Sequence, residues 1–260
     1  MENTLIDSRY HLLAELGSGG EARVFRARDN VDETDVAVRL PVGPVVSVTS
    51  DHPKRAQPAA CHEGWVRLLA SGTDPQQGAY QVFELLEGET LRQLIRSGPL
   101  DSNDWRFFVE QSLDAVEALH HAGWIHGDLN ADNFFRAPSG WKLLELPFLR
   151  FDPPAGHSAL FGSIHTLAPE QFDGKQPNAQ SDLYSLGCLY YYAASGVYPH
   201  PGASAQEVAI HCLRFAADPL NEKAPGLPAS WSDWVMSLLA RDPQDRPPTI
   251  TAAHQLLGVA

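Results

Sequence analysis

Residues Gln180–Ser195 read QSDLYSLGCLYYYAAS. Apolar side chains fall on nearly every face of a helix drawn through this run, so the helix has no side to offer water and must be enclosed by other elements. The run also carries a carboxylate, Asp182. Burying a carboxylate is costly unless hydrogen-bond donors come with it. A fold that contains this helix must therefore surround it and bring donors to Asp182. With 260 residues, 43% of them hydrophobic, the chain can build one large domain or two lobes with a real core.

The formal charge of −13 excludes whole classes of partner. Nucleic-acid phosphates need a basic face, and an anionic membrane surface needs one too. No apolar run approaches the ~20 residues that span a bilayer. The N-terminal MENTLIDSRY lacks the basic, apolar and small-residue regions of a signal peptide. Cys61, Cys188 and Cys212 are odd in number and lack metal-ligand spacing, so they read as reduced thiols in a cytoplasmic setting.

The chemistry concentrates in Trp124–Phe135, WIHGDLNADNFF. Asp128 follows His126-Gly127 and can orient or deprotonate a hydroxyl within hydrogen-bond reach. Asn133 lies five residues on and offers an amide oxygen suited to a hard cation such as Mg²⁺. The stretch resembles the catalytic loop of the protein-kinase family, H-R-D-L followed by Asn. Gly127 replaces the family's Arg, and Asn130 replaces the Lys common in its Ser/Thr branch. His126 reads as a packed scaffold histidine.

The resemblance extends over residues 9–257. Tyr10–Leu16 and Ala22–Ala27 read as strands around Gly17-Ser18-Gly19-Gly20, where glycine lets backbone N–H groups approach phosphate. The run is similar to the family's nucleotide loop, with Ala22 at its third Gly and Val24 at its Val. Val36-Ala37-Val38-Arg39-Leu40 reads as a short strand resembling V-A-I-K. Arg39 stands at the phosphate-binding Lys; it keeps the charge but changes the shape to a planar fork. Pro41–Ala60 holds four prolines and no Glu. The family's mobile helix and its Glu are therefore expected to be absent or reduced to a turn. Ala79–Leu86 reads as a strand. There the resemblance makes Phe83 the gatekeeper and Glu84 to Leu86 the hinge. The implied nucleotide contacts are Gly17, Gly19, Gly20, Val24, Ala37, Arg39, Glu84, Leu86 and Phe135.

Asp101 or Ser102 is placed to cap a long amphipathic helix, and Ala137–Gly140 to turn a hairpin. Glu145-Leu146-Pro147 stands where the family has D-F-G. Glu145 keeps a carboxylate one methylene further out, and Pro147 fixes φ near −65°. Asn133 and Glu145 are thus the candidate metal ligands. GSIHTLAPE, closing at Glu170, resembles the segment that ends in A-P-E, with Ser163 at the family's Thr. The DLYSLG run resembles the central large-lobe helix, and Arg241–Pro247 resembles R-D-P-x-x-R-P. These matches imply that Asp182 accepts hydrogen bonds from the catalytic loop and that Arg246 pairs with Glu170. A small-molecule phosphotransferase with an H-G-D loop is the competing fold, and the A-P-E and R-D-P segments argue against it.

The expectation is one α+β, two-lobed kinase-like domain, 9–86 and 87–257, without further domains. Phosphoryl transfer depends on positioned charge and Mg²⁺. Asp128 and Asn133 remain, whereas the Lys, its Glu and the D-F-G Asp are altered or missing. Each such loss costs about 3–4 kcal/mol, and two of them slow transfer by about 10⁴–10⁶-fold if additive. The leading reading is a pseudokinase that holds ATP, retains Mg²⁺ poorly and acts through a protein partner. The alternatives are a weak Ser/Thr kinase with Asp128 as base, and a nucleotidyl transferase on the same scaffold. Oligomeric state stays open.

Overall fold

The computed structural model describes residues 4–19, 22–42, 62–146 and 163–259. They fall into two compact units, one holding 4–42 and 65–87, the other 62–64, 88–146 and 163–259. The helix expected to be reduced at Pro41–Ala60, the glycine Gly20 and Pro147 lie outside the described residues, apart from Pro41 and Val42.

The first unit is a six-stranded antiparallel sheet. Its strands are β1 (Leu5–Ile6), β2 (Tyr10–Ser18), β3 (Ala22–Asp29), β4 (Thr34–Pro41), β5 (Leu68–Asp74) and β6 (Gly78–Glu84), in the order β1-β2-β3-β4-β6-β5. Side chains alternate between faces along each strand. Phe25, Ala27, Val36, Val38, Leu40 and Val82 gather on one face as a buried core with Tyr10, Leu12 and Tyr80. The other face carries Val24, Ala37, Arg39, Gln81 and Phe83, because residues opposite one another in register point the same way.

The second unit is mostly helical. After β7 (Glu89–Thr90) come α1 (Leu91–Ile95) and α2 (Ser102–His121), then the hairpin β8 (Phe134–Ala137) and β9 (Gly140–Leu143). The helices α3 (Pro169–Phe172), α4 (Ala179–Ser195), α5 (Ala205–Arg214), α6 (Leu220–Lys223), α7 (Ala229–Leu238) and α8 (Ile250–Val259) follow. Asp101 caps α2 by accepting from the N–H groups of Asn103 and Asp104. Asn178 caps α4 in the same way, through Gln180 and Ser181.

α4 is the enclosed helix that the sequence demands. Thirteen of its seventeen residues are buried, Asp182 among them. Tyr190 stacks on Trp234 of α7, and its carbonyl accepts from the indole N–H of Trp105 on α2. A Cβ at Gly187 would come within 2.9 Å of the Leu238 Cβ, so glycine is what lets α4 and α7 pack this closely. Among the described residues, no helix is long and apolar enough to cross a membrane.

Candidate active site

The loop between α2 and β8 is suspended from α4. The two carboxylate oxygens of Asp182 accept from the backbone N–H groups of His126 and Gly127, each at 2.8 Å. His120, near the end of α2, places its Nε2 2.8 Å from the same carboxylate. Asp182 is fully buried, so these contacts replace water around it. Gly127 takes φ +72° as it crosses over, a conformation in which glycine escapes the penalty of a side chain.

The suspended loop then folds on itself. Asn133 donates from Nδ2 to the Asp128 carbonyl at 2.8 Å. Asn130 donates to the Asp128 carboxylate at 3.1 Å and accepts from the Asp132 N–H at 2.9 Å. The backbone N–H of Ser163 donates to the same Asp128 oxygen at 3.2 Å. Asp128 is half-buried and its carboxylate is fixed in direction, as a group that must meet a hydroxyl requires. The N–H of Leu144 donates to the Asn133 carbonyl at 2.8 Å, which ties the chain next to Glu145 to the loop. Asn133 and Glu145 thus stand on adjoining segments, and each carries a side-chain oxygen of the kind that suits Mg²⁺. Phe135 sits on β8, in register with Thr90 and Lys142.

Below the loop, Glu170 and Arg246 join α3 to the segment before α8. Arg246 donates to both Glu170 oxygens, at 2.8 and 2.9 Å, and to the carbonyls of Gln180, Ala240 and Arg241. Burial is the largest single influence and pushes the Glu170 carboxyl up, but the hydrogen bonds and charge of Arg246, with hydrogen bonds from the backbone and Ser181, together outweigh it and hold the carboxyl below its ordinary range.

The remaining candidates lie in the first unit. Gly17, Val24, Arg39 and Gln81 lie side by side in one row across β2, β3, β4 and β6. Gly19 closes the turn by donating to the Ala22 carbonyl at 2.9 Å. Ala37 pairs with Phe83 one rung pair away. Glu84 ends β6 and accepts the Arg67 N–H at 2.9 Å, with Leu86 half-buried just beyond. Arg39 is only 6% exposed, so it is a buried cation and not a solvated strand residue. Its Nη1 donates to Gln81 Oε1 at 3.2 Å.

Three partners escaped the sequence: His120, Asn130 and Gln81. Asn130 was marked only as a departure from the family's Lys and not as a partner of Asp128, and Gln81 carried a local signal as the one amide between Ala79 and Phe83.

The model of the protein kinase domain matches residues 10–257. The chain belongs to the protein kinase family. The Ser/Thr kinase PknL of Mycobacterium tuberculosis is 29% identical over 256 residues, covering 95% of this chain and 64% of PknL. PknB of the same organism is 31% identical over 259 residues, covering 93% of this chain and 41% of PknB. The chain therefore spans under two-thirds of the length of either relative. Among solved structures, Rad53 residues 1–466 in complex with AMP-PNP superposes with a TM-score of 0.80 at 21% identity, over 97% of this chain and 66% of that one. That likeness shows the fold: an α+β, two-lobed kinase.

Proposed function

We propose that this kinase domain is a pseudokinase: a scaffold that holds a nucleotide, transfers its phosphate poorly or not at all, and acts through a protein partner in the cytoplasm. The observation that carries this reading is a mismatch. The framework that positions the catalytic loop is fully connected, from Asp182 through Gly127 to Asp128 and Asn133. The charges that handle phosphate and metal are changed, with Arg39 in the strand and Glu145 for the family's Asp. Scaffold hydrogen bonds preserve a binding surface, whereas transfer rates fall steeply when preorganised charges move.

ATP fits the reading as ligand, with Gly17, Gly19, Gly20, Val24, Ala37, Arg39, Glu84, Leu86 and Phe135 as its contacts. Asn133 and Glu145 are the oxygens that would hold Mg²⁺, the ion that neutralises phosphate charge when bound. Glu145 carries its carboxylate one methylene further from the backbone than Asp, which weakens the site. PknL and PknB are named Ser/Thr kinases, and Rad53 was crystallised with AMP-PNP. Both facts support nucleotide binding here.

A second reading has its own observation. The Asp128 carboxylate is oriented by Asn130 and Ser163 as a working base would be, which favours a weak Ser/Thr kinase. Titration of ATP and adenosine, each with and without Mg²⁺ or Mn²⁺, tests the first reading. It expects ATP to bind with little help from metal; no binding under any condition refutes it. Intact-mass measurement after incubation with Mg-ATP separates added phosphate, the weak-kinase outcome, from added AMP, the mark of nucleotidyl transfer.

A further inference from the structure

Two helices of the second unit bring a mixed set of metal-binding side chains together. On α2, Asp114 and Glu117 stand three residues apart, and on α8 so do Thr251 and His254. Side chains at that spacing share one helix face. The two faces meet. The Thr251 hydroxyl donates to Glu117 Oε1, and His254 Nδ1 lies 3.7 Å from Asp114 Oδ1 and 3.8 Å from Glu117 Oε2.

Both histidine distances are too long for hydrogen bonds. They are close to the ~3.4 Å that separates neighbouring ligands when each sits about 2.1 Å from a tetrahedral zinc ion. One ligand atom from each of the three residues lies within 4.8 Å of the others. An imidazole nitrogen with two carboxylate oxygens is a donor set that zinc takes, whereas Mg²⁺ prefers oxygen alone. The charge agrees as well. Two carboxylates and a neutral imidazole match a divalent cation, and among the described residues no Lys or Arg forms an ion pair with either carboxylate. The Thr251 hydroxyl holds one Glu117 oxygen and leaves the other on the side of His254. Outer hydrogen bonds of this kind orient carboxylate ligands. Asp114 is exposed, and Glu117 and His254 are half-buried, so an ion can enter from solvent and keep a water.

We propose that Asp114, Glu117 and His254 form a zinc site that clamps α8 to α2, with water as the fourth ligand. The site shares no residue with the candidate active site and does not depend on nucleotide binding. Both helices are rigid elements, so the ion ties the last helix to the one that leads into the catalytic loop.

Zinc titration of the whole chain, tag-free, stripped of metal and without nucleotide, tests the site by calorimetry and by melting temperature. The wild type is expected to bind one equivalent at these ligands and to melt higher with zinc. His254→Ala and the double variant Asp114→Asn/Glu117→Gln should lose both effects. The double variant carries the comparison by itself if His254→Ala does not fold. Thr251→Val keeps all three ligands and should weaken binding roughly tenfold. Glu145→Gln should keep this equivalent. Co²⁺ in place of zinc should give the wild type, but not the double variant, the intense visible absorption of a four-coordinate site. A wild type that takes up no zinc overturns the proposal, as does a double variant that binds it equally well. Zinc lost in Glu145→Gln but kept in the double variant places the ion at the other candidate ligands and overturns it too.

Discussion

The guanidinium of Arg246 grips both oxygens of Glu170, Nη1 to Oε1 at 2.8 Å and Nη2 to Oε2 at 2.9 Å, with the two side chains 0% and 3% exposed. The ring of Tyr184 lies 4.8 Å from the Arg246 Cζ, and Ser181 donates to Glu170. Removing one partner leaves the other as a buried charge without its counter-ion. Arg246→Ala and Glu170→Ala should each lose about 3–5 kcal/mol of stability, measured by urea denaturation. The double variant should lose clearly less than the sum, because it strands neither charge.

His200 gives the protein a defined acid response. The imidazole is buried against Tyr184, and burial first, then His211 and Arg241, push its pKa down to about 4 from 6.5. The folded state therefore keeps the neutral ring where the unfolded chain takes up a proton. Its contribution is complete above pH 6.5 and is lost as pH falls from there toward 4, on the order of 3 kcal/mol in all. His200→Phe should flatten this part of the stability–pH curve. Denaturation midpoints between pH 7 and 4.5 check it. Glu170 adds its own loss only at lower pH, because its carboxyl is held below the ordinary 4.5.

Asp182 should matter more to the catalytic loop than to α4 itself. In Asp182→Asn, one acceptor oxygen becomes an NH₂ group facing a backbone donor. One of the two N–H groups at His126 and Gly127 then has no acceptor, at about 1–3 kcal/mol. Hydrogen exchange should speed up selectively at those two amides, with the interior of α4 still protected.

Restoring the family's Arg at Gly127 should not be free. The position has φ +72°, and a Cβ there would lie 3.1 Å from Cβ and Cγ of Pro177. Gly127→Arg should cost about 1–2 kcal/mol from backbone conformation alone. Gly127→Ala should carry the same cost, which separates the backbone from the new charge. Thermal melts of both variants test this.

Much of the fold was written in local pattern. Val36–Leu40 foretold β4 because alternation and β-branching are properties of the strand itself, and Gln180–Ser195 foretold α4 because an all-round apolar helix allows no other place. The demand for donors at Asp182 was equally plain, since a buried carboxylate states its needs. Elements too short to show a period did not appear: β1, β7, α3 and α6 have two to four residues each. β1 also depends on Asp7 and Ser8 turning at φ +49° and +56°, which their residue types do not announce. In the site, the missed partners were matters of register. His120 meets Asp182 only through the packing of α2 on α4, and Gln81 meets Arg39 only through the pairing of β6 with β4. No spacing along the chain specifies either meeting.

The most direct test of a preserved scaffold with impaired chemistry is transfer of labelled γ-phosphate from Mg-ATP to a generic protein acceptor, wild type beside Asp128→Asn. The account predicts no incorporation above background in either protein, while ATP still raises the melting temperature of both. Incorporation by the wild type that disappears in Asp128→Asn would contradict it.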